Sequence, residues 1–276
     1  MLLPYSLFSL TLFSTSFIRA SCNLTPDYEV KLLMDPSVVL GKDNKLKPTI
    51  LSTFAMPTSV TKMNVQFLDT DNKPIYNAGW SPRIRKMEGD STFELTYKKR
   101  YDIKNGDIDS ALTQANKDGF DSSDTSYEAQ VEWGYQKQTL SISRAKTNSD
   151  SGYSDMDLPA QSASRTMMIN NAPNKFKNWN YNSWGADQLS NSRIYGPILA
   201  KRSVGTWSGI KKFYIEVWPI KAASGSGIEY IVEASFKVTD RSTASSKHDE
   251  LVSFLQGKGW FVAQDSLKTA LIMQRY

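Results

Sequence analysis

The chain has 276 residues, of which 33 are Lys or Arg and 28 are Asp or Glu, giving a formal net charge of +5 and an isoelectric point near 9.0. An excess that small suits an anionic ligand without imposing one, and 40% apolar residues exclude a chain disordered throughout. Cys22 is the sole cysteine, so no intrachain disulfide can form and stability has to come from a buried core.

Residues 1–20, MLLPYSLFSLTLFSTSFIRA, carry no charge before Arg19, contain an apolar run rich in Leu and Phe, and end on Ala20, a small residue suited to cleavage. They read as a secretory signal peptide, too short and too rich in Ser and Thr for a permanent span, which makes the mature chain a secreted, extracellular protein. An uncleaved anchor is one alternative. A bacterial lipoprotein built on Cys22 is another, although Arg19 is a poor residue before a lipidation cut. Asn23-Leu24-Thr25 is an N-glycosylation sequon, relevant in a eukaryotic source. Residues 21–276 read as one domain with no later membrane span.

From Asp27 to Arg144 most segments alternate polar and apolar residues, bounded by turn clusters such as Asp69-Thr70-Asp71-Asn72-Lys73-Pro74 and Glu88-Gly89-Asp90, the pattern of antiparallel sheet. Residues 145–192 lapse into a Ser/Asn/Asp-rich insertion with scattered aromatics, Phe176, Trp179, Tyr181 and Trp184, expected to be ordered only where those rings find a surface. Strands resume at Phe213 to Pro219 and Glu229 to Val238. A helix is expected from about Ser245 to Leu255, ending before Gly257 and Gly259.

The chemistry lies on the polar faces of the strands. Asp27, Glu29 and Lys31 alternate with Tyr28, Val30 and Leu32; Arg83 and Arg85 share a face; Glu94, Thr96, Lys98 and Arg100 oppose Phe93, Leu95 and Tyr97. Glu128, Gln130 and Glu132 oppose Tyr127, Ala129, Val131 and Trp133. Glu233, Ser235 and Lys237 alternate with Val232, Ala234 and Phe236, and Glu216 lies in the strand before. Two architectures accommodate this pattern. One is an open sheet wetted on its polar face. The other is a barrel whose charged lumen needs anion, metal and water to satisfy it.

The order of Glu29-x-Lys31, Phe67-x-Asp69-Thr70, Arg83-x-Arg85, Leu95-Thr96-x-Lys98, Glu128 to Glu132 and Glu233 resembles the CYTH, or triphosphate-tunnel, superfamily from Asp27 to about Arg275. The resemblance implies a mainly β (α+β) fold, an eight-stranded antiparallel β-barrel enclosing a charged tunnel with covering helices. It implies a divalent-metal-dependent hydrolase of a triphosphate or inorganic polyphosphate. Asp27, Glu29, Glu132, Glu216 and Glu233 become the metal carboxylates for Mg2+ or Mn2+. Lys31, Arg83, Arg85, Lys98, Arg100 and Lys237 become phosphate contacts, and Glu29, Lys31 and Glu233 the catalytic set. Arginine forks suit phosphate oxygens, and phosphoryl transfer needs positioning and charge neutralisation more than a protein nucleophile.

Two positions depart from the family pattern: Asp27 replaces the first Glu of Glu-x-Glu-x-Lys, and Ser235 replaces a second strand-borne Glu. They keep open a second reading, a catalytically inactive tunnel that binds an extracellular polyanion. In both readings the partner is a phosphate-rich anion and no nucleic acid is expected. A later-strand arginine could be Arg144 or Arg202. His248 is expected on a solvated helix face, and Trp207, Trp218 and Trp260 in the core or barrel cover.

Overall fold

The structure is a computed structural model that describes residues 22–265 and 268–276; the expected signal peptide, residues 1–20, lies outside the described residues. The strands are β1 (Asp27–Met34), β2 (Thr61–Asp69), β3 (Trp80–Met87), β4 (Thr92–Ile103), β5 (Glu128–Trp133), β6 (Gln138–Ser149), β7 (Arg193–Trp207), β8 (Ile210–Lys221), β9 (Ile228–Val238) and β10 (Phe261–Val262). The helices are α1 (Pro36–Val39), α2 (Pro48–Thr53), α3 (Pro74–Asn77), α4 (Ile108–Lys117), α5 (Gln161–Asn171), α6 (Asn174–Lys177), α7 (Trp184–Ser190), α8 (Arg241–Gly257) and α9 (Lys268–Arg275). No described helix is long and apolar enough to cross a membrane.

The strands run in the order β1-β5-β6-β4-β3-β2-β7-β8-β9, and β9 pairs back onto β1, closing a barrel of nine strands. The short β10 lies outside this ring and extends β5's side of β1, with Leu33 facing Val262. A ring whose neighbours all alternate in direction needs an even number of strands. Nine therefore force one parallel pair, and it is β1–β5, with Asp27 opposite Gln130 and Glu29 opposite Glu132. The expected eight-stranded, wholly antiparallel barrel is corrected on both counts. The strand hidden in the sequence is β7, which contains Gly196, Pro197 and Gly205 and shifts register between Gly205 and Trp207, so its period of two is broken.

Elsewhere alternation sorts the side chains as expected. Val30, Leu32 and Met34 of β1 point outward and pack with Ile215, Phe236, Leu251 and Leu255 under α8. Trp80, Leu95, Tyr97, Val131 and Ile142 pack outward against Phe120, Phe176, Trp184 and Leu189. The polar tract at 145–192 contributes the end of β6 and then α5 to α7, which cover the barrel wall. Phe176 is fully buried, its ring 5.2 Å from Trp80 and 5.3 Å from Tyr97, whereas Tyr181 stays exposed. A side chain at Gly185 would place a Cβ only 2.6 Å from the Phe176 carbonyl oxygen, so glycine lets α7 sit against α6.

α8 starts earlier than expected because the Asp240 carboxylate accepts hydrogen bonds from the Ser242 and Thr243 amides. Its buried stripe is Ala244, His248, Leu251 and Leu255, so His248 faces the barrel and not solvent. The His248 Nε2 lies 2.8 Å from the Gly134 carbonyl and Nδ1 lies 2.9 Å from Asp249, so the ring links α8 to the end of β5. Trp207 and Trp260 join the outer core.

A third apolar cluster lies inside the barrel: Met63, Val65 and Phe67 of β2, Ala200 of β7 and Trp218 of β8 pack with Ile272 and Met273 of α9. The lumen is thus apolar along β2 and charged along β1, β3, β4, β5, β8 and β9, with Arg202 reaching it from β7.

Phe176 joins α6 to both β3 and β4, so its truncation tests whether the polar tract is part of the cooperative fold. Phe176→Ala is expected to cost about 3–5 kcal/mol in urea unfolding, the range for a large aromatic cavity. A loss below about 1 kcal/mol would mean that α5 to α7 contribute little to the core.

Candidate functional site

The inward faces of the strands enclose a cavity of about 450 Å³. Asp27, Glu29 and Lys31 reach it from β1, Arg83 and Arg85 from β3, Lys98 and Arg100 from β4, and Glu132 from β5. Glu216 reaches it from β8, and Glu233 and Lys237 from β9. Every residue that the resemblance assigned to metal, phosphate or catalysis therefore lines one space. A second cavity of about 330 Å³ shares Lys31, Glu132 and Glu233 and extends to Lys137, Gln264 and Asp265, so those three shared side chains stand between the two cavities.

Buried Glu132 accepts hydrogen bonds from Lys31 at 2.7 Å, Lys98 at 2.7 Å and Ser141 at 2.6 Å, with the Arg100 Nε at 3.8 Å. Burial pushes this carboxyl up, but Lys31, Lys98 and Arg100 together hold it well below the usual carboxylate range. Lys31 goes up, because Glu132, Glu29 and Glu233 outweigh its burial. Lys98 is pushed down to about 8, since burial, with Arg100 and Lys31 adding to it, outweighs Glu132.

On the next strands Arg85 sits directly across from Glu94, and Arg83 from Thr96. Both guanidiniums share the Glu94 carboxylate, Arg83 at 2.8 Å, while the Thr96 hydroxyl donates to it at 3.0 Å. Burial raises the Glu94 carboxyl, but the two arginines bring it down to about 2. Burial, then Arg85, lowers Arg83 to about 10, which leaves it charged at neutral pH. The Nε groups of Arg83, Arg85 and Arg100 are buried with no hydrogen-bond partner among the described residues.

The third cluster joins Glu216 and Glu233, placed directly opposite each other by the β8–β9 register. Arg202, across from Glu216 on β7, donates to it at 2.7 and 2.9 Å, and the Trp218 indole donates at 2.9 Å. Lys268 at the start of α9 donates to Glu216 at 2.6 Å and to Glu233 at 2.7 Å. Despite burial, Lys268 and Arg202 hold Glu216 far below the carboxylate range, and the two carboxylates hold Lys268 above the ordinary lysine value. Burial and the adjacent Glu216 leave Glu233 raised, against the pull of Lys268.

At the mouth, Gln130 bridges Glu29 and Lys237 at 3.1 and 3.0 Å with its amide turned to satisfy both.

Sequence reasoning missed Lys268, because it lies outside any alternating strand, and could not choose between Arg202 and Arg144. Arg202 lines the tunnel, whereas Arg144 lies outside over the Tyr127 ring, 5.6 Å from its centroid. Trp218, expected in the core or cover, also holds a tunnel carboxylate.

Over the whole lining, eight bases (Lys31, Arg83, Arg85, Lys98, Arg100, Arg202, Lys237 and Lys268) meet seven carboxylates (Asp27, Glu29, Glu94, Glu128, Glu132, Glu216 and Glu233), and the positive charge is concentrated on β3 and β4, where Arg83, Arg85, Lys98 and Arg100 face Glu94. The metal assignment fares differently. Glu132 and Glu216 do not fit as ligands for Mg2+ or Mn2+ in this arrangement, since lysine or arginine nitrogens already occupy both oxygens of each, and the Lys268 ammonium already neutralises Glu233 through one of its oxygens. Asp27 and Glu29 remain as a pair at the mouth, and among the described residues no three His, Cys, Asp or Glu side chains form a metal-holding group.

No family model matches the sequence, and no curated protein matches it. Solved structures do. HpAC1 from Hippeastrum, provisionally an adenylyl cyclase and reported with a dominant triphosphatase activity, aligns with a TM-score of 0.50 at 12% identity over 88% of this chain and 93% of that one. A provisional adenylate cyclase from Bacillus halodurans aligns at 0.48 and 11% identity over 89% and 96%. One from Vibrio parahaemolyticus aligns at 0.43 and 11% over 90% and 98%. At such identity the likeness to the Hippeastrum protein is one of fold.

Lys98 provides a pH test. With its value depressed to about 8, its charge is present at pH 7 and lost above pH 8, so anion affinity should fall between pH 7 and 9. Titration of tripolyphosphate across this range is expected to show up to about tenfold weakening per pH unit above the midpoint. Lys98→Met should flatten the profile; an unchanged profile would remove Lys98 from the anion site.

Proposed function

We propose that this chain, whose barrel has the CYTH-like, triphosphate-tunnel fold, binds a phosphate-rich anion of the triphosphate class in its lumen. The observation that carries the proposal is the row of three half-buried arginines, Arg83, Arg85 and Arg100, that line the cavity and whose buried Nε–H groups make no hydrogen bond among the described residues. A buried guanidinium donor without an acceptor is costly, and phosphate oxygens supply paired acceptors that match the fork. The clustering of Arg83, Arg85, Lys98 and Arg100 on two adjacent strands favours an anion with several charges over a monoanion.

Hydrolysis of that anion is the extension suggested by the triphosphatase activity of the Hippeastrum protein. Within this chain, Arg83, Arg85 and Lys98 would neutralise charge growing on the leaving phosphate, and the barrel wall would hold the chain of phosphates in line for water. Dependence on Mg2+ or Mn2+ belongs to this extension, with Asp27 and Glu29 the carboxylates still open to a cation. Export through residues 1–20 makes the expected anion an extracellular one, either an inorganic polyphosphate or a released triphosphate.

Hydrogen bonds to charged groups contribute about 1.5–3 kcal/mol each. Arg83→Ala or Arg85→Ala should therefore weaken tripolyphosphate binding by roughly one to two powers of ten in calorimetry. Wild-type affinity should also fall as salt rises, since exposed ligand charge is screened. Equal affinities in wild type and both variants would refute the site. Phosphate release from tripolyphosphate, ATP and thiamine triphosphate, with Mg2+, Mn2+ or chelator, separates the two activities: turnover marks a hydrolase, and binding without turnover marks a silent tunnel.

A further inference from the structure

The β8–β9 register sets Glu216 and Glu233 side by side, with 5% and 3% of their surfaces exposed. Two carboxylates directly opposite one another repel, and burial removes the water that would screen them, so the pair requires a cation. Lys268 supplies one, reaching Glu216 at 2.6 Å and Glu233 at 2.7 Å with its ammonium 4.7 Å from the centre of the Trp218 ring.

α9 presents that ammonium. Lys268 and Ile272 lie one turn apart, so one helical face enters the barrel, and Ile272 and Met273 anchor it in the apolar half of the lumen. With Arg202 on the other oxygen of Glu216, two cations balance two carboxylates. A dication bridging the two carboxylates would have to displace Lys268, and an indole face offers it no oxygen ligand.

We propose that the Lys268 ammonium is a built-in cation standing at the Glu216–Glu233 pair in place of a divalent metal ion, so that binding of the phosphate-rich anion, as distinct from its hydrolysis, needs no divalent metal. The second half of this proposal rests on the anion-binding reading above; the first half does not. Removing the ammonium leaves two buried carboxylates that a divalent cation can bridge.

Two measurements on the full chain keep those halves apart. In thermal unfolding with millimolar Mn2+ and no anion, wild type should show no shift, whereas Lys268→Met should melt lower and regain stability as Mn2+ is added, because a ligand bound only by the folded state raises its melting temperature. Lys268→Arg, which keeps the charge, should stay insensitive to Mn2+, and recovery of folded Lys268→Met only in the presence of Mn2+ would support the same conclusion. Stabilisation of wild type by Mn2+, or no response in a folded Lys268→Met, would overturn the built-in cation. In calorimetry, wild-type tripolyphosphate affinity in chelator should match that with Mg2+ within about threefold. A loss of tenfold or more in chelator would overturn metal-free binding. No binding under either condition would sink the anion reading itself, with the Mn2+ comparison still deciding the role of Lys268.

Discussion

Closing a sheet into a barrel turns one face of every strand away from water, and in this chain that face carries charge. Everything else in the lumen follows from the need to pair it. Glu132 is shared by three cations, Glu94 by two arginines, and the Glu216–Glu233 pair by Arg202 and Lys268. The first two clusters are overcompensated and the third is balanced. The positive excess is therefore concentrated along β3 and β4, on the wall that carries Arg83, Arg85, Lys98 and Arg100. In a partly desolvated space such an excess acts on a ligand more strongly than the same charges would on a wet surface.

The two halves of the lumen divide the work between packing and charge. Met63, Val65 and Phe67 offer α9 an apolar seat, and that seat fixes the depth at which Lys268 meets the two glutamates. The outer aromatic core around Trp80, Phe120 and Phe176 then holds β3 and β4 from behind, which keeps Arg83, Arg85 and Lys98 in register with Glu94 and Glu132. The helices α5 to α7 thereby support the site without lining its cavity.

Much of this was legible in the sequence because strand parity is a local rule. Once Tyr28, Val30 and Leu32 are taken as outward core, Glu29 and Lys31 have to face the other way, and the same reasoning places Arg83, Lys98, Glu132 and Glu233. The rule fails where pairing is irregular. Bulges at Val65/Phe67 and Gly205/Trp207 mask β7 and with it Arg202. The ninth strand, and hence the parallel β1–β5 pair, depends on which edges meet across the whole ring, and no local pattern encodes that. His248 was misplaced because its polarity outweighed its position, although the spacing of Ala244, Leu251 and Leu255 puts it on the buried stripe. Lys268 carries no signal of its own: a lysine near a chain end is ordinarily a solvated charge, and only the docking of α9 brings it between two carboxylates.

The choice of base at each position fits its task. A guanidinium stays charged even when buried and offers donors in a fixed plane, so Arg83 and Arg85 can hold Glu94 with a terminal nitrogen each and still present charge to the cavity. An ammonium is a compact point charge with three donors, suited to bridging two carboxylates at equal distance, as Lys268 does. Lys98 and Lys31 share one carboxylate yet differ, since Lys31 also lies near Glu29 and Glu233 and is driven up, while Lys98 lies near Arg100 and is driven down. The lumen thus has permanently charged arginines on its ligand-facing wall, a permanently charged lysine at its carboxylate pair, and a single lysine, Lys98, whose charge is lost just above neutral pH.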